Sequence, residues 1–584
     1  MKRKGLLNRI FWEEIKYFRC RQSRLDQWAE FTARQWQERL SFDFTGRVSF
    51  LFLILFFSFF LLLSRLFFLQ IVEGGKNWQK SQENRIRLLV THAPRGIIYD
   101  RKGKILARNK PGFRLSGEDS VRLLDYDEAL SLAVKDKILE VDPLRDYPEG
   151  EIFAHILGYT SEISRNELAL PEFAGYRMGD RIGRLGVEET FEKYLRGREG
   201  KKLVEVDALG REVAVVGEEK PESGAKLFLT IDADLQKVMY SALKVGLEKA
   251  DASAGVVIAE DPKNGQILGL VSLPSFDPNL FSKGSYRLTE LFSNPSAPLL
   301  NRATRGLYPP GSVFKMVTAL AGLSSGQIDR KTKFEDTGVV YLGSFRFANW
   351  YYTFYGKTEG FLDIVGAIRR SNDIFFYKVG QLVGPDIIAK VAHLFGLGEK
   401  TGIDLPREEE GLVPTPVWKR KHKKEDWFPG NTLHLAIGQG DILTTPLQIS
   451  NLVSAIANGG VLFRPYVGMR IEGKREKIVF KPQIWRRNFL KREHLELIRE
   501  GMREACQRGG TGWPFFDFPV PVGCKTGTAE FGSLQKKTHA WFTVFAPFSQ
   551  PEIVITVLVE GGGEGSSVAA PIAKEILKYW FARE

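Results

Sequence analysis

The sequence predicts an α+β chain of several domains carried by one N-terminal membrane-crossing helix. Three observations carry that expectation. Residues 48–72 form an apolar run broken by a single charge, Arg65. The next stretch, 73–222, is polar with short strand signals, as an elongated, mostly β pedestal would be. From 223 to 584, strand patterns at both ends enclose a long, largely helical insert, which fits an antiparallel sheet flanked by helices rather than a doubly wound parallel one. The 584 residues allow this, at about 150 per domain. With 43% hydrophobic and 26% charged residues, a disordered or low-complexity chain is excluded.

Residues 1–47 hold 11 Lys and Arg against 6 Asp and Glu, a local excess of five. Positive-inside logic then puts this segment in the cytoplasm. Within it, 6–40 interleaves charges with Phe11, Trp12, Tyr17, Phe18, Trp28, Phe31 and Trp36, the pattern of helices lying in a membrane interface. The run 48–72 is long enough to cross the hydrocarbon, and Arg65 near its end can snorkel. It exceeds a signal-peptide core and no small-residue cleavage site follows, so the span is expected to stay. Everything from 73 onward is then outside the cytoplasm. The net charge of +13 includes the five of the tail, and no nucleic-acid-binding motif accompanies it. An anionic membrane surface or an acidic polymer suits this charge as well. Three cysteines (Cys20, Cys506, Cys524) exclude a disulfide scaffold, and seven histidines stand without ligand spacing.

In the pedestal, 95–107 reads as two short strands around an Asp-Arg-Lys-Gly turn. A helix over 186–195 is bounded by Gly197 and Gly200. No residue cluster there suggests chemistry, and Pro221-Glu-Ser-Gly224 marks a boundary. Beyond it come a strand at 227–231, a helix at 235–247, and a hairpin of 254–259 with 266–272 around Asn264-Gly265. Strands at 540–545 and 553–559 and an amphipathic helix at 568–581 close the chain.

Three short motifs carry the chemistry, each weak alone. Ser-x-x-Lys occurs four times, but only Ser312/Lys315 follows a chain break, Pro309-Pro310-Gly311, and opens an apolar helix at 313–323. A serine at a helix N-terminus has its developing oxyanion favoured by the dipole. Lys315, one turn later, can be its base if desolvation lowers its pKa. Alternatively, Ser312 is an N-cap and Lys315 a surface charge. Ser371-Asn372-Asp373 lies 59 residues after Ser312 and offers a second hydroxyl for proton transfer, or simply a helix-boundary turn. Lys525-Thr526-Gly527-Thr528, 213 residues after Ser312, sits in strand context, whereas the Lys-Thr-Gly at 400 reads as a turn. Gly527 lets a substrate approach the backbone. Lys525 supplies charge for a substrate carboxylate and is expected to depress the pKa of Lys315.

Together and in this order the motifs resemble those of active-site serine penicillin-binding proteins and serine β-lactamases. Arg95-Gly-Ile-Ile-Tyr-Asp, Pro309-Pro-Gly-Ser-Val-Phe-Lys, Gly438-Gln-Gly-Asp and Thr538-His-Ala-Trp-Phe are similar to class B penicillin-binding proteins. Gly396-Leu-Gly-Glu-Lys-Thr-Gly-Ile-Asp-Leu-Pro, Trp427-Phe-Pro-Gly-Asn-Thr-Leu and Val559-Glu-Gly-Gly-Gly resemble the elongation-specific branch. Asp373 points the same way, since the division enzymes usually carry Asn there.

The resemblance implies a cytoplasmic segment 1–47, a transmembrane helix 48–72, a pedestal 73–222 and a transpeptidase domain 223–584. It implies a D,D-transpeptidase that forms 4-3 peptidoglycan cross-links. Ser312 would attack the D-Ala–D-Ala carbonyl of a stem peptide, with Lys315 as base and Ser371 with Asp373 assisting proton transfer. Lys525, Thr526, Gly527 and Thr528 would hold the substrate's carboxylate end, and the backbone N–H groups of Ser312 and Thr528 would form the oxyanion hole. Implied partners are stem peptides on lipid II-derived glycan strands, β-lactams, and a RodA-type SEDS glycosyltransferase with other elongation proteins, at the bacterial inner membrane. Three other functions share the motifs: a β-lactamase or carboxypeptidase, the division-specific paralogue, and a non-catalytic activator of a SEDS glycosyltransferase. The chain departs from the family in a shorter pedestal head between Arg95 and Gly186 and a longer cytoplasmic tail. Some relatives bind zinc near the second motif through Cys and His. Here 336–373 holds neither, so neither metal nor other cofactor is expected.

Overall fold

The computed structural model describes residues 44–116, 121–124, 130, 140–207, 212–282, 288–474, 476–531 and 537–583. The interface-lying segment expected at 6–40 lies outside them. The chain divides into two units, Met1–Leu89 with Lys202–Glu218, and Val90–Lys201 with Glu219–Glu584.

In the first unit, Phe44–Phe67 is an α-helix that ends in a π turn, Phe68–Val72. Residues Val48–Val72 have a mean hydropathy of 2.5, and the protein buries none of their most apolar window. A helix apolar all round and covered by none of the described residues has the length and composition to cross a membrane. Gly74–Arg85 continues as a polar helix, and Ile86–Thr91, Gly200–Val206 and Glu212–Glu219 pair in that order.

The second unit holds the sheet expected from the flanking strand signals. Its strands are β1 (Gly255–Asp261), β2 (Gln266–Leu273), β3 (Gly523–Phe531), β4 (Lys537–Ala546) and β5 (Ile553–Val559), in the order β2-β1-β5-β4-β3 and antiparallel throughout. The period of two divides the core. Val257 and Ala259 face α1 (Ala233–Lys249) and the C-terminal helix Ala570–Ala582, with Leu243, Ile576 and Trp580. Val256 and Ile258 face the helical insert, with Val317, Leu320 and Phe375. Clothed on both faces, the sheet leaves β3 at its edge. That edge is where the site is built.

A second sheet of this unit runs Lys477–Val479, Gly468–Glu472, Lys226–Leu229, Ile98–Tyr99, Ile105–Ser116, Val121–Leu124, with Glu140–Asp146 also on Ile105–Ser116. The strand expected at 227–231 therefore pairs in parallel with Ile98–Tyr99, not with the five-stranded sheet. The helix expected at 186–195 is broken into Gly186–Thr190 and Glu192–Leu195.

Candidate active site

Pro309-Pro310-Gly311 delivers Ser312 into a 3₁₀ turn, Gly311–Phe314, which runs into helix α2 (Lys315–Ser324). In a 3₁₀ turn side chains at i and i+3 eclipse, so Ser312 and Lys315 stack on one side. Ser312 is half-buried and Lys315 fully buried. Gly311 has φ +55°, and a Cβ there would stand 2.8 Å from the Thr528 carbonyl oxygen. The turn thus presses its backbone against β3, which only glycine permits.

Ser371 joins two helices, α3 (Ile364–Arg370) and α4 (Asp373–Val383), in the left-handed conformation at φ +52°. A non-glycine residue there is strained, and its neighbours must hold it. Here that bend aims both its carbonyl and its hydroxyl at Lys315. The Lys315 Nζ donates to Asp373 Oδ1 at 2.6 Å, to Ser371 O at 2.7 Å and to Ser371 Oγ at 3.4 Å. From the other side, Lys525 Nζ donates to Ser371 Oγ at 2.8 Å and to Thr526 O at 2.9 Å. One hydroxyl is therefore flanked by two buried amines and, through Lys315, by one carboxylate.

Burial lowers the pKa of Lys315 by penalising its charge, while the Asp373 carboxylate works against that. Lys525 is buried too and is pushed well below the ordinary lysine value, because the charge of Lys315 adds to the cost of burial. The expected depression of Lys315 thus comes chiefly from burial, and the deepest depression falls on Lys525, the lysine farther from Asp373's contact.

Asp373 is itself held. Its Oδ2 accepts from Trp350 N at 2.9 Å, and its N–H donates to Asn349 Oδ1 at 3.1 Å. Asn349 donates in turn to Asp336 Oδ2 at 3.0 Å. The middle residue of the second motif turns away: Asn372 caps α4 at Phe375 N and donates to Glu359 Oε2 at 2.9 Å. On β3, Gly527 touches the nucleophile's turn, since a Cβ would lie 2.9 Å from both Val313 Cγ2 and Trp541 Cβ. Trp541 Nε1 donates to Pro309 O at 3.0 Å and fixes that turn from below. The Thr526 hydroxyl donates to Thr511 Oγ1 at 2.9 Å, whereas Thr528 is exposed on the open edge. Sequence reasoning missed Asn349, Trp350 and Thr511, which stand in no recognised motif, and it quoted Thr538-His-Ala-Trp-Phe without assigning Trp541 its supporting contact.

Cys506, just after helix α5 (Arg492–Ala505), forms a disulfide with Cys524, the residue before Lys525. No cysteine spacing suggested that pair. Among the described residues, the group of His, Asp and Glu side chains close enough to hold a metal is His92, Asp180 and Glu199, in the pedestal rather than near the second motif.

Comparison with known proteins agrees with this arrangement. Residues 255–578 match the penicillin-binding protein transpeptidase domain, and 133–229 match the penicillin-binding protein dimerisation domain. The peptidoglycan D,D-transpeptidase MrdA of Acinetobacter baumannii is 33% identical over 88% of this chain and 84% of its own length. Penicillin-binding protein 2 of Helicobacter pylori, solved in complex with MreC, superposes with a TM-score of 0.73 at 29% identity, over 85% of this chain and 99% of that one. A structure described as a peptidoglycan synthase complex that coordinates polymerisation and crosslinking gives 0.73 at 29% identity, over 92% and 99%. The catalytic-domain match, the dimerisation-domain match and these relatives coincide on one assignment: the chain belongs to the class B penicillin-binding proteins, in the penicillin-binding protein 2 branch.

Proposed function

We propose that the chain is the peptidoglycan D,D-transpeptidase of cell elongation, with Ser312 as its nucleophile. The observation that carries this is the buried Asp373–Lys315–Ser371–Lys525 cluster behind a half-buried Ser312 at the open edge of β3. An edge strand can pair with an extended peptide, which would lay the donor stem along Gly527 and Thr528. Ser312 Oγ attacks the D-Ala–D-Ala carbonyl and gives its proton to the neutral amine of Lys315. The N–H groups of Ser312 and Thr528 hold the oxyanion. As the C–N bond breaks, the proton passes through the Ser371 hydroxyl to the leaving D-Ala amine. An amine from a neighbouring stem then attacks the Ser312 ester and gives a proton to Lys315, which passes it to Ser312 Oγ as the ester C–O bond breaks, restoring the free serine and the neutral lysine. The Thr528 hydroxyl receives the donor's carboxylate, whose negative charge draws the proton onto Lys525 and away from Lys315, while Thr526 supports the strand through Thr511. β-Lactams, which mimic D-Ala–D-Ala, acylate the same serine.

The relative described with MreC and the neighbour described as a synthase complex support membership of an elongation complex, with a RodA-type glycosyltransferase as partner. The basic segment 1–47 supports a cytoplasmic N-terminus, with Val48–Val72 in the inner membrane and the catalytic domain beyond it.

The test is labelling of membranes with a fluorescent penicillin, wild type against Ser312→Ala, with the adduct chased for hours. A stable adduct absent from the variant is expected. Rapid decay would point to a hydrolase, and a folded wild type that takes no label would overturn the catalytic reading.

A further inference from the structure

A cavity of about 60 Å³ in the pedestal carries donors that the fold itself leaves unused. Arg145, on Glu140–Asp146, donates from Nε to Glu188 at 2.6 Å, but its buried Nη1 and Nη2 meet no acceptor. The hydroxyl of Thr160, first residue of Thr160–Glu162, is buried without a partner, and so is Nε of Arg181, first residue of Arg181–Gly183. All three residues line the cavity, and Arg145 and Thr160 are only 3% and 0% exposed. Native folds pair nearly all such groups, because a buried donor without an acceptor forfeits its hydration. Four unpaired donors around one cavity call for a guest that accepts.

The lining also carries carboxylates, and at first sight it invites a cation. His92, Asp180 and Glu199 have ligand atoms within 4.8 Å of one another. Those carboxylates already have partners: Arg196 Nη2 donates to Asp180 Oδ2 at 2.9 Å, and His92 Nδ1 lies 3.2 Å from Glu199 Oε1. Asp142, also on the wall, makes contacts of its own. A cation would face the guanidinium groups of Arg95, Arg145, Arg181 and Arg196, which line the same cavity. Arg95 is answered by Glu192 at 2.7 Å and Arg145 by Glu188 at 2.6 Å, and Asp142 acts on Arg181, so the case for an anion rests on the unpaired donors and not on net charge.

We propose that this pocket binds one small oxyanion, of the phosphate or carboxylate class, in the fork of Arg145, with the Thr160 hydroxyl and Arg181 Nε completing its shell. Bound there, it would tie together the segments at 140–146, 160–162 and 181–183. The site lies outside the catalytic cluster and does not depend on the transpeptidase assignment.

The experiment is calorimetric titration and thermal unfolding of the full-length protein in detergent, at constant ionic strength set with chloride. Inorganic phosphate and acetate are the probes, and Zn²⁺ is run in parallel. A saturable anion effect is expected, because a ligand of the folded state raises its stability. Phosphate alone would assign a tetrahedral guest, acetate alone a carboxylate. Thr160→Val should weaken binding about tenfold while penicillin labelling persists. Arg181→Lys, which keeps charge but moves the donor, should weaken it as well and serves if the first variant does not fold. The proposal is overturned if neither anion binds a protein that still takes penicillin, if Zn²⁺ binds in their place, or if both variants bind as wild type does.

Discussion

Lys315 and Lys525 share one hydroxyl, and the position of Asp373 decides how they divide the charge. The carboxylate lies 2.6 Å from Lys315 Nζ and favours its ammonium form, which cannot take a proton from Ser312. Acylation should therefore rise with pH until Lys315 loses its proton. Asp373→Asn removes the carboxylate that opposes burial, so Lys315 should deprotonate at lower pH. The ascending limb of the penicillin-acylation rate is expected to move to lower pH in this variant; an unmoved limb would show that Asp373 does not set the charge of Lys315. At this scale the sequence was highly legible. The three motifs in order, with the family resemblance they carry, picked Ser312, Lys315, Ser371, Asp373 and Lys525, and the fold gathers the last four into one hydrogen-bonded cluster, one turn from Ser312. The sequence did not reveal that Thr526 turns to Thr511, because strand alternation says which face a side chain takes but not who waits there.

Between elements, the critical contact is that of the 3₁₀ turn with β3. A methyl at Gly527 would stand 2.9 Å from Val313 and from Trp541, both fully buried with no room to yield. Gly527→Ala should slow penicillin acylation by at least about tenfold by pushing the Ser312 turn off the strand. Its thermal unfolding should change by no more than about 1–3 kcal/mol, and an unchanged acylation rate would show that the turn's seat is not critical. Hydrophobic patterning found four of the five central strands and the flanking helices, because each buries whole faces, while β3 was placed by the setting of the Lys525 motif. It found a strand at 227–231 but named no partner for it, since pairing with Ile98–Tyr99 is a contact across more than a hundred residues that no local pattern records. The pedestal cavity was illegible for the same reason: His92, Arg145, Thr160 and Arg181 are polar residues in separate segments, and only the fold brings them to one space.

For the molecule as a whole, one buried acid makes stability depend on pH. Glu260 on β1 is fully buried, accepts from the Ser450 hydroxyl at 2.7 Å, and burial pushes its carboxyl up to about 7. The folded state keeps this proton up to about 7, whereas the unfolded chain releases it near 4.5, so stability falls as pH rises between those values. The loss is on the order of 3 kcal/mol. Glu260→Gln should remove it, unfolding at higher temperature than wild type at pH 8 by a margin that shrinks toward pH 5; a margin that does not vary with pH would refute the assignment. The Cys506–Cys524 bond carries a consequence of another kind. Glutathione in a cytosol keeps such thiols apart, and an oxidising compartment joins them. On the topology proposed above, the staple beside Lys525 acts as a stamp of arrival, closed on chains whose catalytic domain has crossed the membrane and open on those still waiting. After denaturation, a thiol-reactive polymer should add to Cys506 and Cys524 in retained chains and to neither in delivered ones; equal labelling of both pools would show that the stamp is never set.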